Sequence, residues 1–235
     1  IAEQIICAVD LGINTDAVCS IMKADGTILA RKFIDFTSDK DRMIHAMNRT
    51  RRKQSKYGPK STKGLWAYVK RLNEDRAKKI SAAIVEFASL HSVDAIVMEH
   101  LDFKGCKKRG SKAQRLSMWN HGIIREKVEQ KAHLLGIRIA TICAWKTSAL
   151  AFDGSGSVTR DDNNHALATF TTGKQYNCDL SASYNIGARY FIRELLKSLP
   201  ATEESRVKAK VPDAGRRTSC TLSTLRALVK ELSAA

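Results

Sequence analysis

The sequence predicts an α/β fold in which helices flank a mixed sheet of five strands, and three observations predict it. The first 34 residues contain three strand-like segments, with the hairpin signal Ala24-Asp25-Gly26 between the last two. Two more apolar segments of strand length follow, separated from each other by segments with helical periodicity. A chain of 235 residues that is 43% hydrophobic can also bury the core that such a sheet needs.

Each element is predicted from its own local pattern. Short apolar runs bounded by turn residues predict strands, and apolar residues three or four positions apart predict helices. Ser38-Asp39 is predicted to cap the first helix, and Gly58-Pro59 to end it. The predicted elements, in chain order, are strands at 3–9, 16–22 and 27–34, helices at about 38–57 and 65–90, a strand at 93–99, a helix at about 118–135, a strand at 137–143, and helices at about 179–199 and 221–232.

This order of elements is the one expected of an RNase H-like fold. Residues 1–146 are predicted to form the first part of that domain, with a basic helical insertion at about 38–92 within it. Residues 147–176 are rich in Gly, Ser and Asp and irregular in pattern, so we expect an inserted lobe there. Residues 177–198 are the predicted closing helix, and residues 199–235 a basic C-terminal tail.

The composition restricts the class of partner. A formal net charge of +16 favours nucleic acid or an anionic membrane as the partner. No apolar run approaches the roughly 20 residues of a membrane span, so nucleic acid is favoured and no membrane partner is expected. The six cysteines form no CxxC pair, which is typical of a cytoplasmic protein without a disulfide framework or zinc ribbon. Because Ile1 replaces an initiator methionine just before a core strand, we expect a longer protein.

Three carboxylates are placed where a catalytic site is expected. Asp10 and Glu99 each end a buried strand, and Asp179 opens the closing helix. A carboxylate at the tip of a buried strand is exposed at the sheet edge while its backbone stays rigid. Three that converge there can hold two divalent cations, as phosphodiester cleavage requires. Oxygen ligands alone favour Mg²⁺, for which Mn²⁺ can substitute.

The same carboxylates lie in motifs that resemble those of a known family. The three motifs resemble the RuvC motifs of TnpB, a transposon-encoded, RNA-guided DNA endonuclease related to the type V CRISPR effectors. They are Ala8-Val9-Asp10-Leu11-Gly12-Ile13-Asn14, Ile96-Val97-Met98-Glu99-His100-Leu101 and Asp179-Leu180-Ser181-Ala182-Ser183-Tyr184-Asn185-Ile186. The resemblance implies an RNase H-like (RuvC) fold, catalytic and metal-ligand roles for Asp10, Glu99 and Asp179, and two Mg²⁺ ions. It also implies three partners: a guide RNA, a target DNA, and an N-terminal portion of the same protein.

The chain departs from that family in its inserted lobe. TnpB proteins usually carry a zinc ribbon with two CxxC pairs between the second and third motifs. Residues 147–156 read Thr-Ser-Ala-Leu-Ala-Phe-Asp-Gly-Ser-Gly and contain no such pair. We therefore expect no zinc, and a lobe that folds without a metal ion.

Basic residues predict where phosphates are bound. One face of the first helix and the loop after Glu99 are predicted to contact nucleic acid through Arg49, Arg52 and Lys56, and through Lys107, Lys108 and Arg109. Arg160, in the lobe, is a candidate for stabilising the phosphate in the transition state; the alternative is a solvated loop charge. Trp66, Trp119 and Trp145 are expected to pack in the core or lobe and not to stack on bases.

Three other functions stay open at this point. A catalytically silent, RNA-guided repressor would have the same fold, although such proteins usually lack one of the carboxylates. A Holliday-junction resolvase shares the fold and metal chemistry but is usually shorter and lacks the basic helices. An actin-like or sugar-kinase-like ATPase would need a second Asp-x-Gly turn and a glycine-rich adenosine site, and the later candidate Asp153-Gly154-Ser155-Gly156 follows no predicted strand.

Overall fold

The structure is a computed structural model that describes residues 1–101, 119–161, 164, 166–216 and 218–234. Its strands are β1 (Ile5–Asp10), β2 (Ala17–Lys23), β3 (Ile28–Ile34), β4 (Ala95–His100), β5 (Arg138–Cys143), β6 (Thr159–Arg160), β7 (Leu167–Thr169) and β8 (Gln175–Asn177). Its helices are α1 (Thr37–Tyr57), α2 (Lys63–Leu90), α3 (His121–Leu134), α4 (Cys178–Ser198), α5 (Ala201–Lys210) and α6 (Leu222–Ser233), with 3₁₀ turns at Pro59–Thr62 and Pro212–Gly215.

The main sheet has five strands in the order β3-β2-β1-β4-β5. The first three strands pair antiparallel, whereas β4 pairs parallel to β1 and β5 parallel to β4. This is the mixed sheet of the predicted RNase H-like fold. Val9 lies opposite Met98 in the β1–β4 pair, so the carboxyl ends of these two central strands lie side by side.

Two helical layers cover the two faces of the sheet. Alternate residues of β1 enter opposite cores: Ala8 packs in the layer of α4, α5 and α6, and Val9 in the layer of α2 and α3. Helix α4 lies very close to the sheet at Gly187. A Cβ atom there would be 2.9 Å from the Met22 sulfur and 3.2 Å from the Ala8 Cβ, so only glycine fits without a shift.

The basic helical insertion is fixed to the sheet by a buried ion pair. Arg76 of α2 contacts the Asp16 carboxylate in the turn between β1 and β2, and both residues are buried. The other carboxylate oxygen of Asp16 accepts a hydrogen bond from the Phe36 backbone N–H at 2.9 Å, just before α1. One carboxylate therefore joins the turn after Asp10 to both helices of the insertion.

The lobe is more regular than its sequence predicts. Strands β6, β7 and β8 form a small antiparallel sheet, although each has only two or three residues. The Phe152 ring lies 5.5 Å from that of Phe170 and 4.9 Å from that of Tyr176, and Ala151 and Ala168 are fully buried beside them. The lobe thus has an apolar core of its own, while the expectation that it binds no zinc stays a prediction.

The remaining elements agree with the predicted ones within a few residues, with three differences. The predicted cap of α1 is wrong, because α1 begins at Thr37 without a side-chain cap and Asp39 instead accepts a hydrogen bond from Lys79 at 2.7 Å. Helix α5 was not predicted. The C-terminal segment is more than a basic tail, since Leu222, Leu225 and other apolar residues of α6 are buried in the α4 layer. Among the described helices, none combines the length and apolarity needed to cross a bilayer.

Candidate active site

The sheet register brings two of the predicted carboxylates to one face. Ala8 and Val97 both pack in the α4 layer, and side chains alternate between the faces of a strand. Asp10 and Glu99, two residues farther along β1 and β4, therefore point to the α4 side at the same edge of the sheet. Asp179 lies in the first turn of α4, which covers that side.

All three carboxylates line one cleft of about 310 Å³. The turn after β1 forms one wall, and Thr147 and Ser148 form part of another. Arg160 of β6 also lines the cleft, so the lobe brings the predicted phosphate ligand to the carboxylates. The structure thus collects at one place four of the residues singled out in the sequence: Asp10, Glu99, Asp179 and Arg160.

The electrostatics of the cleft disfavour three ionised carboxylates without a cation. Burial raises the pKa of Asp10 well above its usual range, and the nearby charges of Glu99 and Asp179 raise it further. The positive charge of Arg160 lowers the pKa of Asp10. Burial also raises the pKa of Glu99, although a hydrogen bond from Thr147 and the charge of Arg189 oppose that shift.

The donor set fits a hard divalent cation. Three carboxylates in one cleft offer oxygen ligands only, and a cation there would offset the repulsion that raises the pKa of Asp10. In the part of the chain that the structure describes, no three His, Cys, Asp or Glu side chains are drawn together into a formed metal-binding group.

A buried asparagine that sequence reasoning missed positions Glu99. Thr147 donates a hydrogen bond from its hydroxyl to the Glu99 carboxylate. The carbonyl oxygen of Thr147 accepts a hydrogen bond at 3.0 Å from the amide of Asn185, which also donates to the Leu150 carbonyl at 2.9 Å. The Leu222 N–H donates to the other end of the Asn185 amide at 3.3 Å. Asn185 thus joins α4 to the segment that orients Glu99.

Arg189, one helical turn after Asn185, was also missed. It is buried and donates hydrogen bonds to the carbonyls of Cys143 and Trp145, both at 2.8 Å. Two more go to the carbonyls of Thr218 at 3.0 Å and Cys220 at 3.2 Å. Burial lowers the pKa of Arg189, and the charge of Glu99 is among the groups that oppose this shift. The sequence feature that could have identified Arg189 is that this charged residue lies on the apolar face of a predicted helix.

The predicted phosphate contacts on α1 are exposed and lie beyond the cleft. Lys40, in the first turn of α1, donates a hydrogen bond at 2.5 Å to the carbonyl of Asn14, which lines the cleft. Arg49, Arg52 and Lys56 are exposed farther along the helix. At 1.5 Å per residue, they lie about 14 to 24 Å from Lys40 along the helix axis. The second predicted group lies outside the described residues: Lys107, Lys108 and Arg109.

The three tryptophans differ in their surroundings. Trp66 packs between α1 and α2, as predicted, and its indole N–H donates to Gln54 at 2.8 Å. Trp119 is half-buried and lines the cleft. For Trp145 the prediction of core or lobe packing is wrong, because 64% of this residue is exposed.

Comparison with known proteins supports the fold at low sequence identity. Neither a protein-family model nor a curated protein sequence matches the chain. Among solved structures, a Cas12f1–sgRNA–target DNA complex is 19% identical with a TM-score of 0.58, and a CRISPR-Cas12f ternary complex is 17% identical with a TM-score of 0.54. A binary complex of AacC2c1 with sgRNA is 10% identical with a TM-score of 0.56.

The matched region is most of this chain and a smaller part of each of those proteins. The three matches cover 77%, 79% and 80% of this chain, but 49%, 40% and 39% of the others. The chain thus spans about half or less of the length of these proteins. The comparisons confirm the RNase H-like fold, which this chain shares with Cas12f and C2c1, and they agree with its resemblance to the RuvC nuclease portion of TnpB.

Proposed function

We propose that this chain is the catalytic portion of a RuvC-type, Mg²⁺-dependent DNA endonuclease. The observation that carries the proposal is that Asp10, Glu99 and Asp179 all line one cleft at the carboxyl ends of the central strands. The fold shared with Cas12f and a net charge of +16 both favour a polyanionic substrate. A silent repressor is less favoured, because all three carboxylates are present and line one cleft.

Asp10, Glu99 and Asp179 would hold the divalent cations, Mg²⁺ or in its place Mn²⁺. When bound, two such ions supply an activated water and stabilise the leaving 3′ oxygen, so no protein general base is required. The protein residues hold the reacting groups in position. Thr147 orients Glu99 through its hydroxyl, and a bound cation would favour the ionised form of Asp10, against the burial that raises the pKa of that carboxyl group.

Arg160 would bind the phosphate that is cleaved. It lines the cleft together with the carboxylates, and its charge lowers the pKa of Asp10. An arginine there can donate to phosphate oxygens and stabilise the charge that develops on them. Its position on β6 means that the lobe completes the active cleft.

The same comparison supports a guide RNA and a target DNA as partners. The matched Cas12f1 structure contains sgRNA and target DNA, and the C2c1 structure contains sgRNA. We infer that this chain acts in the cytoplasm with a guide RNA and a target DNA, joined to an N-terminal portion of the same protein that binds the guide. The exposed basic face of α1, which lies beyond the cleft, would contact phosphates farther along the bound nucleic acid.

Replacing Asp10 with alanine tests the nuclease proposal. Asp10→Ala should lower the single-turnover rate of cleavage by several orders of magnitude, because it removes a central ligand of the cations. The measurement is cleavage of labelled single-stranded DNA in Mg²⁺. Nucleic-acid affinity should change little, since the basic residues that bind phosphate remain. Cleavage by Asp10→Ala within about tenfold of the unmodified chain would rule out the metal assignment.

The same carboxylate should reduce stability at neutral pH. A carboxyl group with a raised pKa in the folded state contributes stability when it is protonated, and that contribution is lost as pH rises through the folded-state pKa. Asp10→Asn should therefore raise the melting temperature at pH 7, by roughly 2–4 °C for each kcal/mol gained, with a smaller gain near pH 4. Mg²⁺ should raise the melting temperature of the unmodified chain more than that of Asp10→Asn.

A second aspartate provides the control for that measurement. Burial raises the pKa of Asp25, but hydrogen bonds from Thr27 and the charge of Lys23 together outweigh that effect, and the net shift of the pKa is downward. Asp25→Asn should therefore not stabilise the protein at pH 7. Equal stabilisation by Asp10→Asn and Asp25→Asn would show that net charge, and not the cleft, is responsible.

The basic face of α1 should bind phosphates without reading bases. Replacing Arg49, Arg52 and Lys56 with glutamine should weaken binding to unrelated DNA sequences alike. The slope of log affinity against log salt should fall by about 0.7 to 0.9 for each phosphate that is no longer neutralised. Fluorescence anisotropy over a range of salt concentrations measures both quantities. An unchanged slope would show that Arg49, Arg52 and Lys56 are exposed to solvent and do not contact phosphates.

Guide dependence should become visible only in the longer protein. Interactions with phosphate carry no base information, so the 235-residue chain alone should nick single-stranded DNA slowly and without site preference. Site-specific cutting of a plasmid should require the N-terminal portion and a matching guide RNA. Efficient site-specific cutting by the chain without RNA would instead favour a self-sufficient resolvase.

A further inference from the structure

An exposed aromatic residue and an exposed cation are neighbours in the segment that leads from β5 to the wall of the cleft. Trp145 and Lys146 lie two and three residues after the end of β5, and both are exposed, with 64% of Trp145 open to solvent. The next residue, Thr147, is buried, lines the cleft and donates its hydroxyl hydrogen bond to Glu99. Trp145 is therefore two residues from the partner of a predicted catalytic carboxylate.

The backbone that presents these side chains is held by buried hydrogen bonds. Arg189 donates to the Trp145 carbonyl at 2.8 Å, and Asn185 donates to the Thr147 carbonyl at 3.0 Å. Between them Lys146 has a φ of 60°, in the left-handed region that a non-glycine residue seldom adopts. Buried hydrogen bonds thus hold the backbone of residues 145–147, while the side chains of Trp145 and Lys146 are exposed and can contact a ligand. Strained backbone of this kind tends to persist at binding and catalytic sites.

We propose that Trp145 and Lys146 form a nucleotide-binding subsite next to the cleaved bond. In this subsite Trp145 stacks against an unpaired base, and Lys146 contacts a neighbouring phosphate. The inference rests on the proposed nuclease function and names how the substrate strand is held. Stacking accepts every base, so the subsite orients the strand without selecting its sequence.

The chemistry of the surface favours single-stranded nucleic acid over a peptide. A docked apolar peptide would need a continuous apolar patch, whereas the exposed residue adjacent to Trp145 is the charged Lys146. A base needs one flat aromatic surface with a cation beside it. Bases in a duplex already stack on each other, so Trp145 suits a strand that has been separated.

The test measures binding of single-stranded DNA in which one base at a time is removed. An Asp10→Asn background prevents cleavage during the measurement. Trp145→Ala should weaken binding roughly 5- to 150-fold, as for the loss of one stacked base, and Trp145→Phe should restore part of it. Trp145→Ala should leave the salt slope unchanged, whereas Lys146→Gln should lower it by about 0.7. Leu134→Ala, which alters an exposed apolar residue at the far end of α3, is the control and should bind normally.

An abasic position identifies the base that stacks. In the Asp10→Asn protein that retains Trp145, an abasic site at one position of the DNA should weaken binding more than an abasic site at any other position. Adding Trp145→Ala should abolish that difference. A position-specific loss that persists in Trp145→Ala, or binding by Trp145→Ala equal to that of Leu134→Ala, would overturn the subsite. DNA cleavage by the unmodified chain would in that case leave the nuclease proposal intact. If the chain neither bound nor cleaved single-stranded DNA, both proposals would fail.

Discussion

Two buried side chains of α4, Asn185 and Arg189, hold the parts of the cleft in register. Together they make seven hydrogen bonds, which reach the end of β5, the entry to the lobe and the segment before α6. An unpaired buried polar group costs about 1–3 kcal/mol, so removing either side chain would leave several carbonyls in an unfavourable state. The position of Thr147, and through it that of Glu99, depends on these hydrogen bonds.

The cleft itself works against the stability of the fold. Burial and mutual repulsion raise the pKa of Asp10 well above its usual range, and burial raises that of Glu99. The fold tolerates this because apolar cores lie on both faces of the sheet and the Asp16–Arg76 pair fixes the turn after β1. Functional sites often retain such unfavourable groups, because the arrangement that binds a cation is less stable without it.

The sequence predicted those parts of the structure that local patterns control. Alternation along β1 and β4, together with a helix opening at Asp179, was enough to place three carboxylates at one sheet edge. Arg189 was missed because its carbonyl partners come from two segments far apart in the sequence, 143–145 and 218–220, which only the folded chain brings together. The prediction that Trp145 packs in the core or lobe rested on the usual burial of large aromatic residues. In the structure, Arg189 binds the backbone carbonyl of Trp145, and the side chain is exposed.

One helix therefore determines most of the site. Helix α4 carries Asp179 in its first turn, Asn185 and Arg189 on its buried side, and Gly187 where it packs closely against Met22 and Ala8 of the sheet. A Cβ atom at position 187 would contact Met22 and Ala8 of the sheet, so the helix lies this close to the sheet only because residue 187 has no side chain, unless Met22 changes position. Close packing at Gly187 therefore contributes to the position of Asp179 relative to the carboxylates of β1 and β4.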